Sequence, residues 1–471
     1  MLSFADHLYA ISPVWLQNLG ISVYGVVWKH RRFGGKFKEA LEGFTARESY
    51  SPEQWEAYQI AKLRQLIAHS IRQVPYYLET YRGIISDYCE LDGFGFGDLA
   101  KLPPIEKETI RQYPDQFIAS DVDRKDLHTY HTSGTTGTPL AIEFTNETHR
   151  VLSAAYEARV RRWAGVSHKM SRAMIGGRMV VPKADAKPPF WRYNLAERQL
   201  YMSAFHISPE NARYYVDALN DFEPDYLVGY ASAHFFLARM ICEQGLEVHR
   251  PKAVLTSSEK LTPEMRAIIE QAYSCKVFDA YSGLENCCLA SECEYHRMHV
   301  SPDVGIIELL DKDDQPVSPG QPGQIVATGL VNFAQPLIRY RTGDWAILSN
   351  DPCPCGRKMP ILKELVGRLE DIVIGPDGRE MVRFHGIFVG LPHIREGQVI
   401  QETLSKFRLK LVVVPQFNEK DREIIYKRFE ERLGPVDLTI ELVDRIECTE
   451  RGKFRAVVSK VQRGSLLSSS G

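Results

Sequence analysis

The first strong pattern in the chain is a run of apolar residues at three- and four-residue steps over 52–83, PEQWEAYQIAKLRQLIAHSIRQVPYYLETYRG. Such spacing places the apolar side chains on one face of a helix. The pattern therefore predicts a long amphipathic helix with a proline near its end. A turn and a short helix are predicted next, over LPPIEKETIRQYP.

Strand-like and helix-like patterns alternate further along the chain. The runs YLVGY, AVLTSS and KVFDAYSG predict strands, and the runs SAHFFLARMICEQG and TPEMRAIIEQAY between them predict helices. Strands separated by helices are typical of βαβ units, in which neighbouring strands are parallel. The pattern therefore predicts an α/β fold with largely parallel strand pairing.

The pattern changes from about residue 301 to short strands and turns, such as GQIVATGL and PLIRYRTGDWAIL. The last part combines the strand RLKLVVVPQ, a helix over 418–433 and the strand VDLTIELVD, which resembles a βαβ unit. We place a domain boundary near 368–371. The predicted units are an N-terminal cap segment over 1–48, a large domain over 49–368, a small C-terminal domain over 369–462 and a disordered tail over 463–471.

The segment 11–28, ISPVWLQNLGISVYGVVW, is apolar and is followed by KHRR. Its proline, glutamine, asparagine and two glycines argue against a membrane-spanning helix. We expect a packed or partner-facing segment, and a homodimer is left open. No basic leader with a compact apolar run and a small-residue cleavage site opens the sequence, so a cytoplasmic protein without a signal peptide is expected.

Composition narrows the class of protein. A chain of 471 residues is long for one hydrophobic core, so two or more domains are expected. The 58 basic and 60 acidic residues give a net charge of −2, which provides no electrostatic basis for binding nucleic acid. Hydrophobic residues make up 44% of the chain, as in ordinary globular proteins. These values favour an enzyme that acts on small molecules.

A loop rich in hydroxyl groups and glycine is the first candidate site. The stretch YHTSGTTGTPLAIEFT over 130–145 ends in an alternating apolar pattern that predicts a strand, so the loop is short and not a linker. Gly134 and Gly137 allow consecutive backbone N–H groups to point inward, and neighbouring hydroxyl groups add donors. Phosphate is the expected ligand, and a structural turn is the alternative. The stretch is not a Walker A loop, because no lysine follows Gly137.

Six stretches occur in a fixed order: YHTSGTTGTPL, TSSE, DAYSGLE, RYRTGDW, VGRLED and ERGKFR. This series resembles the motifs of the adenylate-forming enzymes. The stretches LPPIEKETIR and CPCG are similar in particular to the branch of the phenylacetate–CoA ligases and their capsule-biosynthesis relatives. The resemblance covers roughly 50–462. It implies an α/β protein with a large N-terminal adenylate-forming domain of layered mixed β-sheets and flanking helices, plus a small mobile α+β C-terminal domain.

The resemblance also implies a chemistry. In this family a carboxylate attacks the α-phosphorus of ATP to give an acyl adenylate and pyrophosphate, and an acceptor then displaces AMP. Such a reaction must bring two anions together and neutralise the departing pyrophosphate. The residues that match the family's phosphate loop are Ser133, Gly134, Thr135, Thr136 and Gly137.

Other residues match by their motif positions. Glu285 matches the Mg²⁺-binding glutamate, and a hard dication prefers oxygen ligands. Asp344 matches the aspartate that binds the ribose hydroxyls. Lys453 matches the lysine that the small domain delivers for adenylation, and Glu370 occupies the hinge position. The alternatives are a surface glutamate for Glu285 and a surface lysine for Lys453.

The nucleotide pocket has further candidates. Arg341 and Arg368 are expected near the ribose and the α-phosphate, and a structural ion pair is the alternative for either. The residues that match the family's adenine pocket are Ser258, Glu259, Ala280, Tyr281 and Ser282. Tyr281 offers a face for the ring, and a core tyrosine is the alternative. Leu284 departs from the family's pattern, because a threonine commonly stands there, and one phosphate or metal contact is therefore in doubt.

Clustered cysteines predict a second site. Nine cysteines in a chain without a signal peptide favour metal binding or catalysis over disulfides. Four ligands from two loops suffice for a closed tetrahedral Zn²⁺ site, and some members of the similar branch carry such a site. The expected zinc ligands are Cys293, His299, Cys353 and Cys355. The alternatives are His296 in place of His299, participation of Cys287 or Cys288, or free buried thiols.

The acid substrate and the acyl acceptor are the aspects of the function that the sequence determines least. The expected acid pocket consists of Tyr201, Phe205, His206, Tyr230 and Ser232. Aromatic and small residues favour an aryl or other apolar acid, although such residues also line many cores and His206 alone could be a core histidine. Coenzyme A is the expected acceptor, and an amine or hydroxyl acceptor is the alternative. A third hypothesis is a nucleotide-binding module that does not catalyse.

Overall fold

The computed structural model describes residues 4–85, 91–132, 140–176, 178, 180–181, 187–311, 313–365, 373–381, 384–388, 391–444, 446 and 457–461. Its helices are α1 (Phe4–Ile11), α2 (Val14–Phe33), α3 (Phe37–Ala46), α4 (Pro52–Gln73), α5 (Pro75–Thr80), α6 (Phe96–Leu99), α7 (Lys107–Gln112), α8 (Asn146–Tyr156), α9 (Ala212–Phe222), α10 (Ala231–Gln244), α11 (Pro263–Tyr273) and α12 (Glu419–Leu433).

The strands fall into one large sheet and three small ones. They are β1 (Leu127–His131), β2 (Ala141–Thr145), β3 (Arg172–Gly176), β4 (Trp191–Asn194), β5 (Gln199–Ser203), β6 (Tyr226–Tyr230), β7 (Ala253–Ser257), β8 (Lys276–Ser282), β9 (Leu289–Glu292), β10 (Met298–Val300), β11 (Gly305–Leu310), β12 (Pro322–Gly329), β13 (Tyr340–Ser349), β14 (Ile361–Leu365), β15 (Val373–Ile374), β16 (Glu380–Met381), β17 (Ile394–Gln401), β18 (Lys406–Val413), β19 (Asp437–Leu442) and β20 (Val457–Ser459).

The large sheet has the strand order β11-β12-β13-β14-β10-β9-β8-β7-β6-β3-β5-β4. Five neighbouring strands, β8, β7, β6, β3 and β5, are parallel to one another, and the remaining pairs are antiparallel. Helices α10 and α11 connect β6, β7 and β8 in sequence. The predicted α/β fold with mixed sheets is confirmed, and the parallel pairing is confined to the central block.

The long helix predicted over 52–83 is two helices. Helix α4 begins with a capping box between Ser51 and Gln54 and has Pro52 in its first turn. It ends where Val74 adopts an extended backbone, with φ −110° and ψ 112°. The residue before a proline is sterically excluded from the helical region, so Pro75 ends α4 and starts α5. The apolar spacing continues across this break, which is why periodicity alone missed it.

The C-terminal part forms a separate sheet with the order β19-β18-β17-β20. Strands β18 and β19 are parallel and α12 connects them, as the βαβ pattern of the sequence predicted. Apolar side chains from β17, β18 and α12 form a hydrophobic core of their own. The predicted boundary at 368–371 and the tail over 463–471 lie outside the described residues.

The N-terminal segment is helical. Helix α2 runs along β4, the edge strand of the large sheet, and α3 packs against α8. Covering an edge strand removes unpaired backbone groups that would otherwise be open to other chains. None of the described helices is long and apolar enough to cross a membrane.

Candidate functional site

The parallel strands direct the predicted site residues to one edge of the sheet. Except for Tyr201 in the middle of β5, the residues expected in the adenine and acid pockets lie toward the carboxyl ends of β5, β6, β7 and β8 or shortly after them. They are Tyr201, Phe205, His206, Tyr230, Ser232, Ser258, Glu259, Ala280, Tyr281 and Ser282. Ligands of open α/β sheets bind outside the carboxyl ends of the strands, so this edge is the candidate active site.

A tyrosine and an aspartate from distant strands meet beside this edge. The hydroxyl of Tyr281 on β8 donates to Oδ2 of Asp344 on β13 at 2.9 Å. The backbone N–H of Asp344 donates to Oγ1 of Thr342 at 3.1 Å. Burial and the Asp344 carboxylate raise the pKa of Tyr281 well above its ordinary value, so the hydroxyl keeps its proton. The predicted adenine residue and the predicted ribose residue are therefore direct neighbours.

Glu285 is positioned by a hydroxyl group and a lysine. The hydroxyl of Tyr340 donates to Oε1 of Glu285 at 3.0 Å, and Nζ of Lys107 lies 3.9 Å from the same oxygen. The side chains of Lys107 and Glu285 are 16% and 12% exposed. Such a carboxylate can accept a cation, while a neighbouring ammonium group favours anions, so the pair suits a metal-bound phosphate.

Arg341 is engaged in ion pairs. Its Nε lies 2.8 Å from Oε1 of Glu106, its Nη2 pairs with Asp314, and its Nη1 donates to Oε1 of Gln324 at 2.7 Å. A guanidinium group committed to two carboxylates has little capacity left for a phosphate. This geometry corresponds to the structural ion pair that the sequence left as the alternative.

Hydrogen bonds also connect a residue of the predicted adenine pocket to a residue of the predicted acid pocket. Glu259, directly after β7, accepts a hydrogen bond from the backbone N–H of Ser232 at 3.1 Å and one from the Ser232 hydroxyl. Its carboxylate therefore lies at the positive N-terminal end of α10. Ser258 has a φ of +73°, a left-handed backbone that is strained for a residue with a side chain.

The acid-pocket candidates have different environments. His206 is buried, its Nδ1 lies 2.8 Å from the Ser203 hydroxyl, and its ring stacks on Phe190 at 5.1 Å. These contacts match the alternative of a core histidine. Tyr201 lies beneath the guanidinium group of Arg178 at 5.2 Å, and the carbonyl of Phe205 accepts a hydrogen bond from Arg379 at 3.1 Å. The last contact connects the pocket region to the C-terminal part of the chain.

The structure brings four metal-ligand candidates together. Atoms of Cys293, His299, Cys353 and Cys355 that can bind a metal all lie within 4.8 Å of one another. Sγ of Cys293 lies 3.6 Å from Sγ of Cys353, and Sγ of Cys355 lies 3.4 Å from Nε2 of His299. Cys293 follows β9 and His299 lies on β10, while the two other cysteines lie between β13 and β14. Because β10 pairs with β14, the two loops meet.

The chemistry of this group suits Zn²⁺. Burial lowers the pKa of His299 to about 4, so its ring is neutral at neutral pH, which is the form that binds metals. Burial raises the pKa of Cys353 to about 12 when no cation is present. Burial also opposes ionisation of Cys355, but hydrogen bonds and the charge of Arg357 bring its pKa below the ordinary value. A bound Zn²⁺ would stabilise all three thiolates.

The alternative ligands lie elsewhere. Nδ1 of His296 is 3.4 Å from Oε2 of Glu292 and 3.1 Å from a guanidinium nitrogen of Arg266, so this histidine belongs to an ion-pair network. Cys287 and Cys288 are buried in the main hydrophobic core. The geometry therefore distinguishes His299 from His296, which the sequence could not do.

Several predicted residues lie outside the described residues. They are Ser133, Gly134, Thr135, Thr136, Gly137, Arg368, Glu370 and Lys453. The neighbours of the predicted phosphate loop are described. Strands β1 and β2 form an antiparallel hairpin, and the backbone and hydroxyl group of Thr132 make two hydrogen bonds with Leu140, both of 2.9 Å. Residues 133–139 thus connect two strand ends that are held side by side.

Other residues near the site were not anticipated from the sequence. Lys107 and Tyr340 contact Glu285; they lie in the stretches LPPIEKETIR and RYRTGDW, but neither residue was given a role from the sequence alone. Asp279 is partly buried on β8, two residues before the tyrosine that contacts Asp344, and it accepts a hydrogen bond from the Thr256 hydroxyl at 2.7 Å. Burial raises the pKa of Asp279 to about 7. The sequence contained one signal for Asp279, which is that an aspartate stands within an otherwise apolar strand pattern.

Comparisons with known proteins find relatives over most of the chain. A sequence model described as the CapK C-terminal domain matches residues 373–460. Protein CapK of Staphylococcus aureus is 26% identical over 470 residues, which cover 97% of this chain and all of that protein. Phenylacetate-coenzyme A ligase of Thermus thermophilus is 27% identical over 410 residues, which cover 80% of this chain and 86% of that protein.

A solved structure shares the fold. The structure of 2-hydroxyisobutyryl-CoA ligase in complex with 2-HIB-AMP and CoA superposes with a TM-score of 0.57 at 21% identity, and it covers 88% of this chain and 91% of that one. The fold and the relatives together place the chain among the adenylate-forming proteins. Within that superfamily, the relatives and the matched C-terminal model indicate the branch that contains the phenylacetate–CoA ligases and CapK. The family expected from the six motifs is confirmed.

Proposed function

We propose that this protein activates a carboxylic acid with ATP, through an acyl adenylate and pyrophosphate, and then transfers the acyl group to the thiol of coenzyme A. In the first step a carboxylate oxygen bonds to the α-phosphorus and the bond to pyrophosphate breaks. In the second step the thiolate attacks the acyl carbon and AMP leaves. Aromatic residues near the sheet edge favour an aryl or other apolar acid.

The observation that carries the proposal is the contact between Tyr281 and Asp344. It places an aromatic face beside a carboxylate at the carboxyl edge of a parallel sheet. The ring suits adenine, and the carboxylate suits the two ribose hydroxyls next to it. The two groups come from two separate motifs, both assigned to the nucleotide by the family resemblance.

Glu285 and Lys107 supply opposite charges for the phosphates. Glu285 offers oxygen ligands to Mg²⁺, and its hydrogen bond from Tyr340 holds the carboxylate in place. A bound Mg²⁺ would neutralise charge on the pyrophosphate as it leaves. The phosphate loop over 133–137 and Lys453 complete the proposed site as predictions from the sequence.

The names of the relatives support coenzyme A as the acceptor, since the Thermus protein is a phenylacetate-coenzyme A ligase. An amine or hydroxyl acceptor remains the second candidate, for one reason. The ligase relatives cover 69 to 80% of this chain, whereas the relative that covers 97% is CapK, whose name states no acceptor.

The test is pyrophosphate release from ATP with a panel of aryl, fatty and amino acids, with hydroxylamine present to trap the adenylate. Release that depends on one class of acid is the expected result and identifies that class. Coenzyme A and a panel of amines are then compared by the rate of adenylate consumption. ATP binding without pyrophosphate release for any acid would contradict the proposal and favour a non-catalytic nucleotide-binding module.

We also propose that Cys293, His299, Cys353 and Cys355 bind a structural Zn²⁺. Three sulfur atoms and one imidazole nitrogen make a closed ligand set with no position left for a catalytic water. The ion would connect the loop after β9 to the turn between β13 and β14. Its function would be to fix these loops, and the chemistry would occur at the sheet edge.

A further inference from the structure

Helix α2 is oriented with its polar side toward the protein. Asn18 accepts a hydrogen bond from the backbone N–H of Tyr193 at 2.9 Å, and Ser22 accepts one from the backbone N–H of Leu195 at 3.0 Å. These side chains accept hydrogen bonds from backbone N–H groups on or just after the edge strand β4, as a neighbouring strand would do. Asn18 and Ser22 are therefore already used for packing, which is unusual for polar residues of a surface helix.

The opposite side of the helix is apolar and exposed. With the exposed apolar residues of α1 and of the turn after β4, it makes up what we call the apolar face. Its members and their exposed fractions are Leu8 (52%), Ile11 (68%), Trp15 (66%), Leu16 (39%), Leu19 (52%), Val23 (61%), Tyr24 (53%), Val26 (61%), Val27 (63%) and Leu195 (65%). Contiguous apolar surfaces of this kind mark interaction sites.

The helix cannot turn to bury this face. A Cβ atom at Gly25 would lie 2.3 Å from Oδ1 of Asn194, so the backbone of α2 touches β4 at that point. Any rotation about the helix axis would also break the hydrogen bonds of Asn18 and Ser22. Because buried polar groups without partners are costly, the apolar face is held outward.

The charge around the apolar face identifies what covers it. No aspartate or glutamate occurs over 7–38, whereas this segment contains the basic residues Lys29, Arg31, Arg32, Lys36 and Lys38. Arg32 pairs with Glu197, Lys36 with Glu147 and Lys38 with Glu42, so the excess positive charge beside the apolar face comes from Lys29 and Arg31. Lys29 and His30 follow the apolar residues directly and are exposed. Trp15 and Tyr24 are residues that prefer the boundary between lipid and water. An apolar helix face with aromatic and basic borders suits a membrane surface with anionic headgroups.

We propose that α2 lies in the plane of an anionic lipid bilayer, with its apolar face in contact with the acyl chains, and so holds the protein at a membrane surface. The helix is not a membrane span, in agreement with the absence of a spanning helix among the described residues. One helix supplies the apolar contact, and the basic residues supply an attraction that salt weakens.

The experiment is flotation of the full-length protein with vesicles of phosphatidylcholine alone or with phosphatidylglycerol. We expect binding to the anionic vesicles and at least about ten-fold weaker binding to the neutral ones. The triple variant Leu19→Ser, Val23→Ser, Val27→Ser should lose binding by about ten-fold or more, because these residues lie on one side of α2. The matched control is Leu78→Ser, Tyr426→Ser, Leu442→Ser, which removes exposed apolar residues elsewhere and should bind like the parent.

Trp15 provides a second readout in the same mixture. Its fluorescence should shift to shorter wavelength on anionic vesicles, and the shift should be absent from Trp15→Phe. Equal binding to neutral vesicles, or unchanged binding of the triple variant, would overturn the proposal. So would a parent protein that ignores vesicles but forms a dimer in light scattering which the triple variant lacks, because a second copy would then cover the apolar face. Circular dichroism and the melting temperature establish that the variants are folded.

Discussion

The hydroxyl of Tyr281 and the carboxylate of Asp344 lie 2.9 Å apart, although 63 positions separate the two residues along the chain. Strands β8 and β13 are not neighbours in the sheet, so the contact depends on how the whole sheet curves. It joins the two groups that the proposed function assigns to adenine and ribose. Burial raises the pKa of Tyr281, and the same contact raises it further, since ionisation would place a second negative charge beside Asp344.

Asp344→Asn should lower kcat/KM for ATP in pyrophosphate release by about 10- to 100-fold, because hydrogen bonds to a charged group contribute about 1.5–3 kcal/mol. Tyr281→Phe keeps the aromatic ring and should lower kcat/KM for ATP by about ten-fold or less. Asp217→Asn, which changes a carboxylate on the exposed side of α9, is the control. Steady-state kinetics with varied ATP measure the effect. If Asp344→Asn and the control had equal kcat/KM values for ATP, Asp344 would not be a ribose-binding residue.

Glu285→Gln should raise the Mg²⁺ concentration that gives half-maximal pyrophosphate release by roughly ten-fold or more, because an amide binds a hard dication less well than a carboxylate. The Mg²⁺ titration is repeated with Glu56→Gln, an exposed position on α4. An unchanged Mg²⁺ requirement in Glu285→Gln would show that this residue is not a metal ligand.

Cys353→Ser and Cys355→Ser should each lose most of the bound zinc, and the protein should become less stable by several kcal/mol, because structural zinc contributes directly to folding. Metal content by atomic absorption and unfolding in urea measure the two effects. Cys242→Ser changes an exposed thiol and should retain one zinc per chain. Protein that carries no zinc in either the parent or Cys242→Ser would contradict the proposed site.

The pKa of Asp279 in the folded protein is raised to about 7, mainly by burial, whereas that of an unfolded aspartate is about 3.9. Between these values the unfolded chain has released the proton and the folded chain retains it. The contribution of Asp279 to stability is therefore complete below about pH 4 and is lost as the pH rises toward 7, by at most about 1.4 kcal/mol per pH unit.

Asp279→Asn removes this titration. Urea unfolding of the parent and the variant at several pH values between 4 and 8 gives the difference in unfolding free energy. The difference should shift in favour of the variant as the pH rises. A difference that stays constant over this range would mean that Asp279 does not titrate there in the folded protein.

Arg341→Gln should leave the KM for ATP within about two-fold of the parent, because the guanidinium group pairs with Glu106 and Asp314. The loss of stability should be about 1 kcal/mol or less, since both carboxylate partners are substantially exposed. A double-mutant cycle with Glu106→Gln measures the coupling. A large rise in the KM for ATP without coupling would restore the role near the ribose or the α-phosphate.

Local patterns were sufficient for much of the secondary structure. The strands YLVGY and KVFDAYSG and the helices between them occur where the sequence predicted them, because each has a clear apolar period and turn residues at its ends. The break at Val74 was missed although Pro75 signalled it, since the apolar spacing continues across the break. The order of the motifs also sufficed to identify the family.

The sequence by itself determined the α/β class and the family, because these depend on local periodicity and on motifs within short stretches, and it assigned the residues that the proposed function places at the adenylate. Only the tertiary structure decided which residues meet: Lys107 and Tyr340 with Glu285, His299 and not His296 with the three cysteines, and Arg341 with two carboxylates. It also decided that α2 packs through its polar side. The physical reason is that apolar spacing reports which side chains avoid water, whereas contacts between distant segments depend on how the sheet and its helices pack.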